Sequence, residues 1–128
     1  MVVVTEMLEA EITNGGLAQL MWNVFFHWRT VFADADAGYE LIGASAQREA
    51  LKEFRILFEH YEAECRGYIE RCLETGEFDY FNQWCDFGEK AMSSESENLF
   101  WMESGLRELR LQWMASNARK LSAMMTAS

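Results

Sequence analysis

Proline is absent from this 128-residue sequence, and long apolar runs are absent too. Because proline interrupts helices by removing a backbone N–H, its absence suits long helices. No apolar run approaches the roughly 20 residues that span a bilayer. Residues 1–4 (MVVV) lack the basic region and the long apolar region of a signal peptide. We therefore expect a cytoplasmic protein with no membrane contact.

Cysteine and histidine are scarce, with three cysteines and two histidines in the chain. An odd number of cysteines without close pairs predicts reduced thiols. Neither His27 nor His60 follows a glutamate by three residues, as a dinuclear carboxylate bundle requires, and no zinc-binding spacing occurs. Residues 33–45 lack the pattern of a calcium loop. Phosphate-binding loops and nucleophile elbows are also missing, so we predict no metal, no cofactor and no catalytic site.

Positive charge is low: Lys and Arg number 11 against 21 Asp and Glu, which gives a net charge of −10. This balance argues against direct binding to nucleic acid or an anionic membrane, because both would repel the protein. It favours plain solubility or a basic partner. The acidity is concentrated in residues 53–103, which contain 13 acidic and four basic residues.

Half of the residues are hydrophobic and 14% are aromatic, which excludes a disordered chain and supports a packed core. A chain of this length has room for one domain. Because apolar residues recur at helical spacing, we predict an all-α, single-domain bundle of about five or six helices around a central apolar helix. The domain spans residues 1–128, with residues 1–4 and 122–128 frayed.

The predicted central helix covers residues 14–32 (NGGLAQLMWNVFFHWRTVF). Trp22 and Phe26 widen its apolar face until apolar side chains cover most of the circumference. A helix with that property belongs in the middle of a protein. The residues expected to face the core are Leu17, Leu20, Met21, Val24, Phe25, Trp28 and Phe32.

The sequence Asn14-Gly15-Gly16 predicts a sharp turn in front of this helix. Asparagine and glycine tolerate left-handed backbone angles, so they can end one helix and redirect the chain. The preceding residues 5–13 (TEMLEAEIT) read as a short helix that packs against the central one. No basic recognition helix follows the turn, so a DNA-reading helix–turn–helix is not expected.

One polar line runs along the central helix, formed by Gln19, Asn23, His27 and Thr30. These side chains either reach the only wet edge of the helix or hydrogen-bond to their neighbours inside the bundle. An enzyme with a pocket around the first three of them is a weaker hypothesis.

Asp34 and Asp36 are predicted to cap a short helix that Gly43 ends. A long helix follows from residue 46 to residue 75, with Ile56, Leu57, Ile69 and Leu73 broadening its apolar stripe. The stripe itself recurs every three or four residues, at Leu51, Phe54, Phe58, Tyr61, Cys65, Tyr68 and Cys72.

Residues 77–92 (EFDYFNQWCDFGEKAM) form another predicted helix, with Phe78, Phe81 and Trp84 facing the core. Its surplus of aromatic residues has two interpretations. Aromatic side chains are enriched at interface cores, which would indicate a homodimer. The simpler interpretation is a small core that is filled by large side chains.

Ser94 and Glu97 have the spacing of a capping box and predict the start of the last helix. The apolar stripe of that helix begins at Leu99 and includes Met102, and Gly105 is expected to split it. Basic residues near its C-terminal end complement the helix dipole.

Acidic residues follow the outer face of the long helix and continue beyond it. Helix neighbours three or four residues apart lie roughly 5–6 Å apart at Cβ, and a DNA strand has a phosphate about every 3.4 Å of axial rise. A carboxylate row can therefore imitate a phosphate row, although a solvated face explains the same pattern. The carboxylates predicted to bind a partner are Glu59, Glu62, Glu70, Glu74, Glu77, Asp79, Asp86, Glu89, Glu95 and Glu97.

A short motif adds a family resemblance. The sequence resembles a family of small bacterial DNA-mimic proteins whose signature is E-x-x-N-G-G-[aromatic]-x-Q, followed by an Asn and a downstream Gly. The resemblance is strong over residues 6–45 and loose beyond, and Leu17 stands where the family prefers an aromatic residue. The motif is carried by Glu11, Asn14, Gly15, Gly16, Gln19, Asn23 and Gly43.

The resemblance implies a helical, acidic protein that occupies the DNA-binding surface of another protein. Together with the charge, it predicts a non-enzymatic DNA mimic that binds a basic DNA-binding protein, such as a repressor, nuclease or nucleoid protein, and blocks its access to DNA. The alternative is an immunity or assembly factor that binds a specific protein without imitating DNA.

Overall fold

Helices and 3-10 segments alternate with short turns in the computed structural model, which describes residues 2–101, 104–118 and 120. No strand occurs in those ranges, and the predicted all-α, single-domain bundle is confirmed. Residues 122–128, predicted to be frayed, lie outside them. In chain order the elements are α1 (Val2–Val24), a first 3-10 segment (Phe25–His27), α2 (Trp28–Ile42), α3 (Ser45–Thr75), α4 (Asp79–Ala91), a second 3-10 segment (Glu95–Phe100) and α5 (Leu106–Ser116).

Helix α1 is kinked at Gly16, where the backbone leaves the helical region (φ 73°, ψ −170°). Glycine adopts a positive φ readily because it has no Cβ to collide with the backbone. The predicted turn is therefore confirmed, and it is concentrated in this one residue. It separates a first helical part of α1 from a second part that enters the core.

The second part of α1 and the start of α2 form the centre of the core, as predicted. Helix α1 contacts α2, α3, α4 and the second 3-10 segment. All seven residues predicted to face inward are at most 5% exposed: Leu17, Leu20, Met21, Val24, Phe25, Trp28 and Phe32.

The prediction of an unbroken helix over residues 14–32 is wrong, because the first 3-10 segment interrupts it. Val24 and His27, which flank and end that segment, have φ values of −113° and −146°. A 3-10 helix has about 3.0 residues per turn instead of about 3.6, so the side-chain directions shift. As a result Phe26, predicted to widen the buried face, is 74% exposed.

Asp34 and Asp36 do not cap a helix, contrary to the prediction, because both lie inside α2. Helix α2 continues through these two positions because its alanines favour helix and because Ala35 and Tyr39 are fully buried in the core. Its predicted end at Gly43 is confirmed, since Gly43 has a φ of 76° and its N–H donates to carbonyl groups of the last turn.

Helix α3 (Ser45–Thr75) agrees with the predicted long helix. Burial raises the pKa of the Cys65 thiol to about 12, so this residue remains a neutral core group. The predicted broadening at Ile56 and Leu73 is wrong, because these side chains are 69% and 74% exposed. A helix at the edge of a bundle buries only one stripe. The most buried members of the predicted stripe are Leu51, Phe54, Phe58 and Cys65, and the predicted broadening is confirmed at Ile69, which is 6% exposed.

Helix α4 approaches α1 closely through Gly88, where an added Cβ would lie 2.4 Å from the Cβ of Ala18. The indole N–H of the fully buried Trp84 donates to the Ala18 carbonyl oxygen at 2.8 Å. Phe78 was expected to face the core, but it precedes the helix and is 68% exposed. The aromatic surplus therefore serves the core only in part, and a homodimer stays a prediction.

The predicted capping box is confirmed, since the Ser94 side chain accepts a backbone N–H and the Glu97 carboxylate accepts the Ser94 N–H at 3.0 Å. It opens the second 3-10 segment, however, and not the last helix. Gly105 (φ 88°) lies between that segment and α5, so the predicted split is confirmed. Met102, on the predicted stripe, lies outside the described residues.

A buried ionic network ties α5 to α1 and α2. The side chains of Arg110 and Glu9 form an ion pair and are 13% and 15% exposed. Arg110 also donates to the Thr5 hydroxyl at 2.8 Å, and the Tyr39 hydroxyl donates to Glu9 at 2.8 Å. Burial, and then the charge of Glu9, raise the pKa of Tyr39. Burial alone would lower the pKa of Arg110, but the hydrogen bond and charge of Glu9, together with Tyr39 and Glu6, raise it.

All three cysteines are free thiols, in agreement with the sequence prediction. Over the described ranges, no helix is both long enough and apolar enough to cross a membrane. Nor does that part of the chain bring three His, Cys, Asp or Glu side chains together in an arrangement that could hold a metal ion.

Replacing Gly16 by Ala should lower the free energy of unfolding by about 1–3 kcal/mol. The alanine must keep a positive φ, which the contacts of its Cβ with the backbone make unfavourable. Gly67 is the matched control. It lies inside α3, and a Cβ there would meet only the end of Arg71 at 3.9 Å. Gly67→Ala should therefore stabilise the protein by about 0.5–1 kcal/mol. Urea unfolding of the two variants measures both effects, and equal midpoints would contradict the kink at Gly16.

Replacing Arg110 by Met should lower the free energy of unfolding by roughly 2–4 kcal/mol, since it leaves the mostly buried carboxylate of Glu9 without its cation. Arg107→Met is the control, because Arg107 is exposed on the same helix and should change the stability by less than about 0.5 kcal/mol. Thermal unfolding at neutral pH compares the two. A similar loss for both variants would show that the network does not anchor α5.

Candidate partner-binding surface

The ten carboxylates predicted to bind a partner lie on four consecutive parts of the chain: α3, the α3–α4 turn, α4 and the second 3-10 segment. All are exposed except Glu62 and Glu97, which are half-buried. A carboxylate that already has a partner inside the protein must give it up to bind another molecule. On this criterion the ten residues divide into two groups.

Glu62 belongs to the first group, because it is held by three side chains. It forms ion pairs with Arg29 at 2.9 Å and Arg66 at 3.6 Å. It also accepts the indole N–H of the buried Trp28 at 3.0 Å. Its side chain is only 23% exposed. Glu62 therefore joins α2 to α3 and contributes to the fold before it contributes to any interface.

Three more carboxylates have internal partners. Glu59 pairs with Arg55, one helical turn before it, at 3.1 Å. Asp79 accepts a hydrogen bond from Gln83 at 2.9 Å and lies in the first turn of α4, where a negative charge stabilises the helix dipole. Glu97 completes the capping box described above. These contacts leave part of each carboxylate accessible, but they fix its position.

The second group consists of six exposed carboxylates. They form no hydrogen bond or ion pair with any residue in the described ranges, so their charge is available to another molecule. Three of them close α3 and its turn, two lie on α4 and one lies in the second 3-10 segment. They are Glu70, Glu74, Glu77, Asp86, Glu89 and Glu95.

Glu70, Glu74 and Glu77 form what we call the free carboxylate row. Residues four apart on a helix are about 6 Å apart along its axis. Helix α3 ends at Thr75, and Gly76 (φ 72°) turns the chain, so that Glu77 follows directly after the helix end. The row therefore lies at one end of the bundle, where the chain passes from α3 to α4.

Two of the other free carboxylates, Asp86 and Glu89, affect the pKa of Cys85 on α4. The pKa of its thiol is raised by burial first, and then by the charges of Asp86 and Glu89. Both carboxylates lie on the exposed side of α4. Asp86 and Glu89 thus add to the effect of burial at this one thiol.

A comparison with known protein families shows to which family the chain belongs. The sequence profile of the DMP19-like protein family matches residues 1–117. The chain belongs to this family. No curated protein and no solved structure matches it.

In this DMP19-like chain the motif residues build the kink of α1. Asn23 donates its side-chain amide to Glu11 at 2.8 Å, and this bond spans the corner at Gly16. Gln19 folds over Gly15, where an added Cβ would lie 2.0 Å from its Oε1. The motif therefore has a structural explanation, since the glycines permit the corner and the polar side chains pack around it.

The polar line of the central helix follows its solvent side. Asn23, His27 and Thr30 are exposed, and Gln19 is half-buried. Of the two alternatives, the wet edge is confirmed for three of the four residues, and the interpretation of polar groups satisfied inside the bundle is wrong for them; Asn23 in addition forms the bond to Glu11. A catalytic role for this line stays a hypothesis.

Phe78, which the sequence predicted to face the core, is an exposed aromatic side chain next to Glu77 of the free carboxylate row. Phe81 contacts Trp22 and Phe78, with ring centroids 5.3 Å and 5.1 Å apart. Trp22 and Phe81 are half-buried, and Phe78 is mostly exposed. We call these three residues the aromatic ledge. The signal was the position of Phe78, two residues after Gly76, where a turn precedes the helix.

Glu62→Ala should lower the free energy of unfolding by about 1–3 kcal/mol, because it leaves the indole N–H of buried Trp28 without an acceptor. Glu70→Ala removes a carboxylate from the same helix that has no internal partner, so its effect should stay within about 0.5 kcal/mol. Urea unfolding compares the two variants. If Glu70→Ala destabilises the protein as much as Glu62→Ala, the division into held and free carboxylates is wrong.

Proposed function

We propose that this DMP19-like protein acts, without catalysis, as a DNA mimic. It occupies the nucleic-acid-binding surface of a basic partner, a repressor, nuclease or nucleoid protein, and blocks the access of that partner to DNA. The observation that carries the proposal is the free carboxylate row of Glu70, Glu74 and Glu77. The sequence resemblance to DNA-mimic proteins and the net charge of −10 support it.

The chemistry of the row suits a surface that normally binds phosphates. Arg and Lys side chains bind carboxylates and phosphates through the same charge-assisted hydrogen bonds. A carboxylate without an internal partner is available to such a side chain without first breaking a contact inside the protein. Glu59 and Glu62 are less suited, because arginines of the same chain already hold them.

The aromatic ledge supports the second candidate function, an immunity or assembly factor that binds one specific protein without imitating DNA. Phe78 lies directly between Glu77 and Asp79 in the sequence and is 68% exposed. A phosphate backbone has no counterpart to an exposed phenyl ring, whereas aromatic anchors are common in protein interfaces. The two candidates therefore differ in whether charge or apolar contact dominates the interface.

The partner has to be identified before either candidate is tested. The tagged full-length protein, incubated with a lysate of its host, should retain a basic protein. That protein should elute as the salt concentration rises, because interactions between exposed charges are screened over about 10 Å at 0.1 M ionic strength.

Reversing the free carboxylate row should abolish most of the binding to that partner. In the variant Glu70→Lys/Glu74→Lys/Glu77→Lys we expect the affinity to fall about 100-fold or more, since hydrogen bonds to charged groups contribute about 1.5–3 kcal/mol each. The control Glu6→Lys/Glu49→Lys/Glu108→Lys changes exposed carboxylates outside the predicted surface. Titration calorimetry with the purified partner gives both affinities.

The two triples are matched in charge. Each Glu→Lys change adds two positive charges, so both variants have a net charge of −4 in place of −10. The control should lose only a few-fold in affinity through the weaker long-range attraction. Equal losses in both triples would contradict the proposal, because they would show that net charge alone attracts the partner.

A further inference from the structure

A cleft of about 330 Å³ lies between α2 and α3, away from the free carboxylate row. Its floor is apolar and consists of Trp28, Phe32 and Leu51, which are 1%, 5% and 4% exposed. Binding pockets for small molecules have volumes of roughly 300–1,000 Å³ and mostly apolar linings with a few polar groups. The cleft meets this description at the lower end of the size range.

The walls of the cleft contain four basic side chains, each of them flanked by a carboxylate. Arg29, Arg48, Lys52 and Arg55 line it, and Asp36 is the one acidic residue that does. These four residues are more than a third of the 11 basic residues of a chain whose net charge is −10. An anion that enters the cleft would meet these cations beside the carboxylates that already pair with them.

Each of the four cations also has a carboxylate partner, but the pairs leave donors unused. Arg48 uses Nε and one terminal nitrogen for Asp36, and that terminal nitrogen also lies 3.8 Å from the Glu40 carboxylate. Arg55 uses only Nε for Glu59, and Lys52 has one bond, to Glu49. A guanidinium has five N–H donors and an ammonium has three.

The ion pairs at the rim are also weak enough to rearrange. The side chains of Lys52 and Arg55 are 70% and 61% exposed, and those of Glu49 and Glu59 are 72% and 48% exposed. Exposed pairs of this kind contribute only about 0–1 kcal/mol. A ligand anion can therefore share or replace their carboxylates at little cost.

Arg29 gives the cleft a further property. Its guanidinium lies over the Trp28 ring, 4.2 Å from the ring centroid, and is also paired with Glu62. A planar cation on an aromatic ring extends the flat surface at the bottom of the cleft. A flat ligand could lie against this surface while its acidic group reaches the cations of the α3 wall.

We propose that this cleft is a binding site for a small organic anion, one with a flat apolar body and a carboxylate or sulfonate group. The Arg29 guanidinium plane above Trp28 and the aliphatic parts of the lining side chains would contact the body, and the basic side chains of α3 would bind the acid group. The proposal does not rest on the proposed DNA mimicry, because Glu70, Glu74 and Glu77 do not line the cleft, although Arg29 and Arg55 pair with Glu62 and Glu59 of the predicted partner-binding set. Its failure would leave that proposal unaffected.

The test uses naphthalene-2-sulfonate as the probe, titrated into the ¹⁵N-labelled full-length protein. We expect saturable shifts of the Trp28 indole N–H and of backbone amides in residues 29–36 and 48–55. Naphthalene-2-methanol, which has the same rings without the charge, should bind about tenfold more weakly, since one charge-assisted contact contributes at least about 1.4 kcal/mol.

Two matched double variants separate the cleft from general charge. Lys52→Gln/Arg55→Gln removes two cations of the cleft, whereas Arg71→Gln/Lys90→Gln removes two exposed cations elsewhere. Both change the net charge from −10 to −12, since each substitution removes one positive charge. The first should raise the Kd for the probe about tenfold, and the second less than about twofold. Circular dichroism verifies that both variants remain folded.

Three results would overturn the proposal. The first is a set of probe shifts that grows linearly without saturation or that centres on the aromatic ledge in place of Trp28. The second is an equal loss of affinity in the two double variants. The third is equal binding of the charged and the neutral naphthalene, which would show that the basic walls do not contribute.

Discussion

The left-handed backbone at Gly16 is the constraint on which the rest of the structure depends. It bends α1 within one residue, so that the two parts of this helix run in different directions and together contact α2, α3, α4 and the second 3-10 segment. The close approach of Gly88 to Ala18 then fixes α4 beside it. The apolar sides of α3 and α4 pack against the core, so the carboxylates on their other sides face solvent. The corner of the family motif also lies against part of the acidic surface, since a Cβ at Gly16 would be 3.2 Å from the Glu97 carboxylate.

The acidic residues of this protein have two different roles. Glu9 and Glu62 are largely buried and hold arginines of neighbouring helices. The free carboxylate row has no such partners in the described ranges and adds repulsion to a chain that is already strongly negative. Repulsion of this kind costs stability, so its concentration at one end of the bundle is easier to explain by a basic partner than by folding.

The sequence predicted what local patterns determine. The helical class, the corner at Gly16, the end at Gly43 and the capping box at Ser94 follow from periodicity and from residues with special backbone preferences. Prediction from the sequence failed where tertiary packing determines which side chains are buried. Nothing local distinguishes Phe26 from its buried neighbours, because its exposure comes from the 3-10 segment. Within the candidate site, the ion pair of Glu59 can be predicted because Arg55 lies four residues before it. The ion pair of Glu62 with Arg29 of α2 cannot be predicted from local sequence.

Direct competition with DNA tests the central claim of mimicry. A labelled DNA duplex bound to the identified partner would be titrated with this protein, and sedimentation velocity would resolve the species that form. If the protein imitates DNA, the two ligands exclude each other, so the labelled duplex is released fully and no species contains all three components. A ternary complex at full occupancy would contradict mimicry and would favour a factor that binds the partner at another surface.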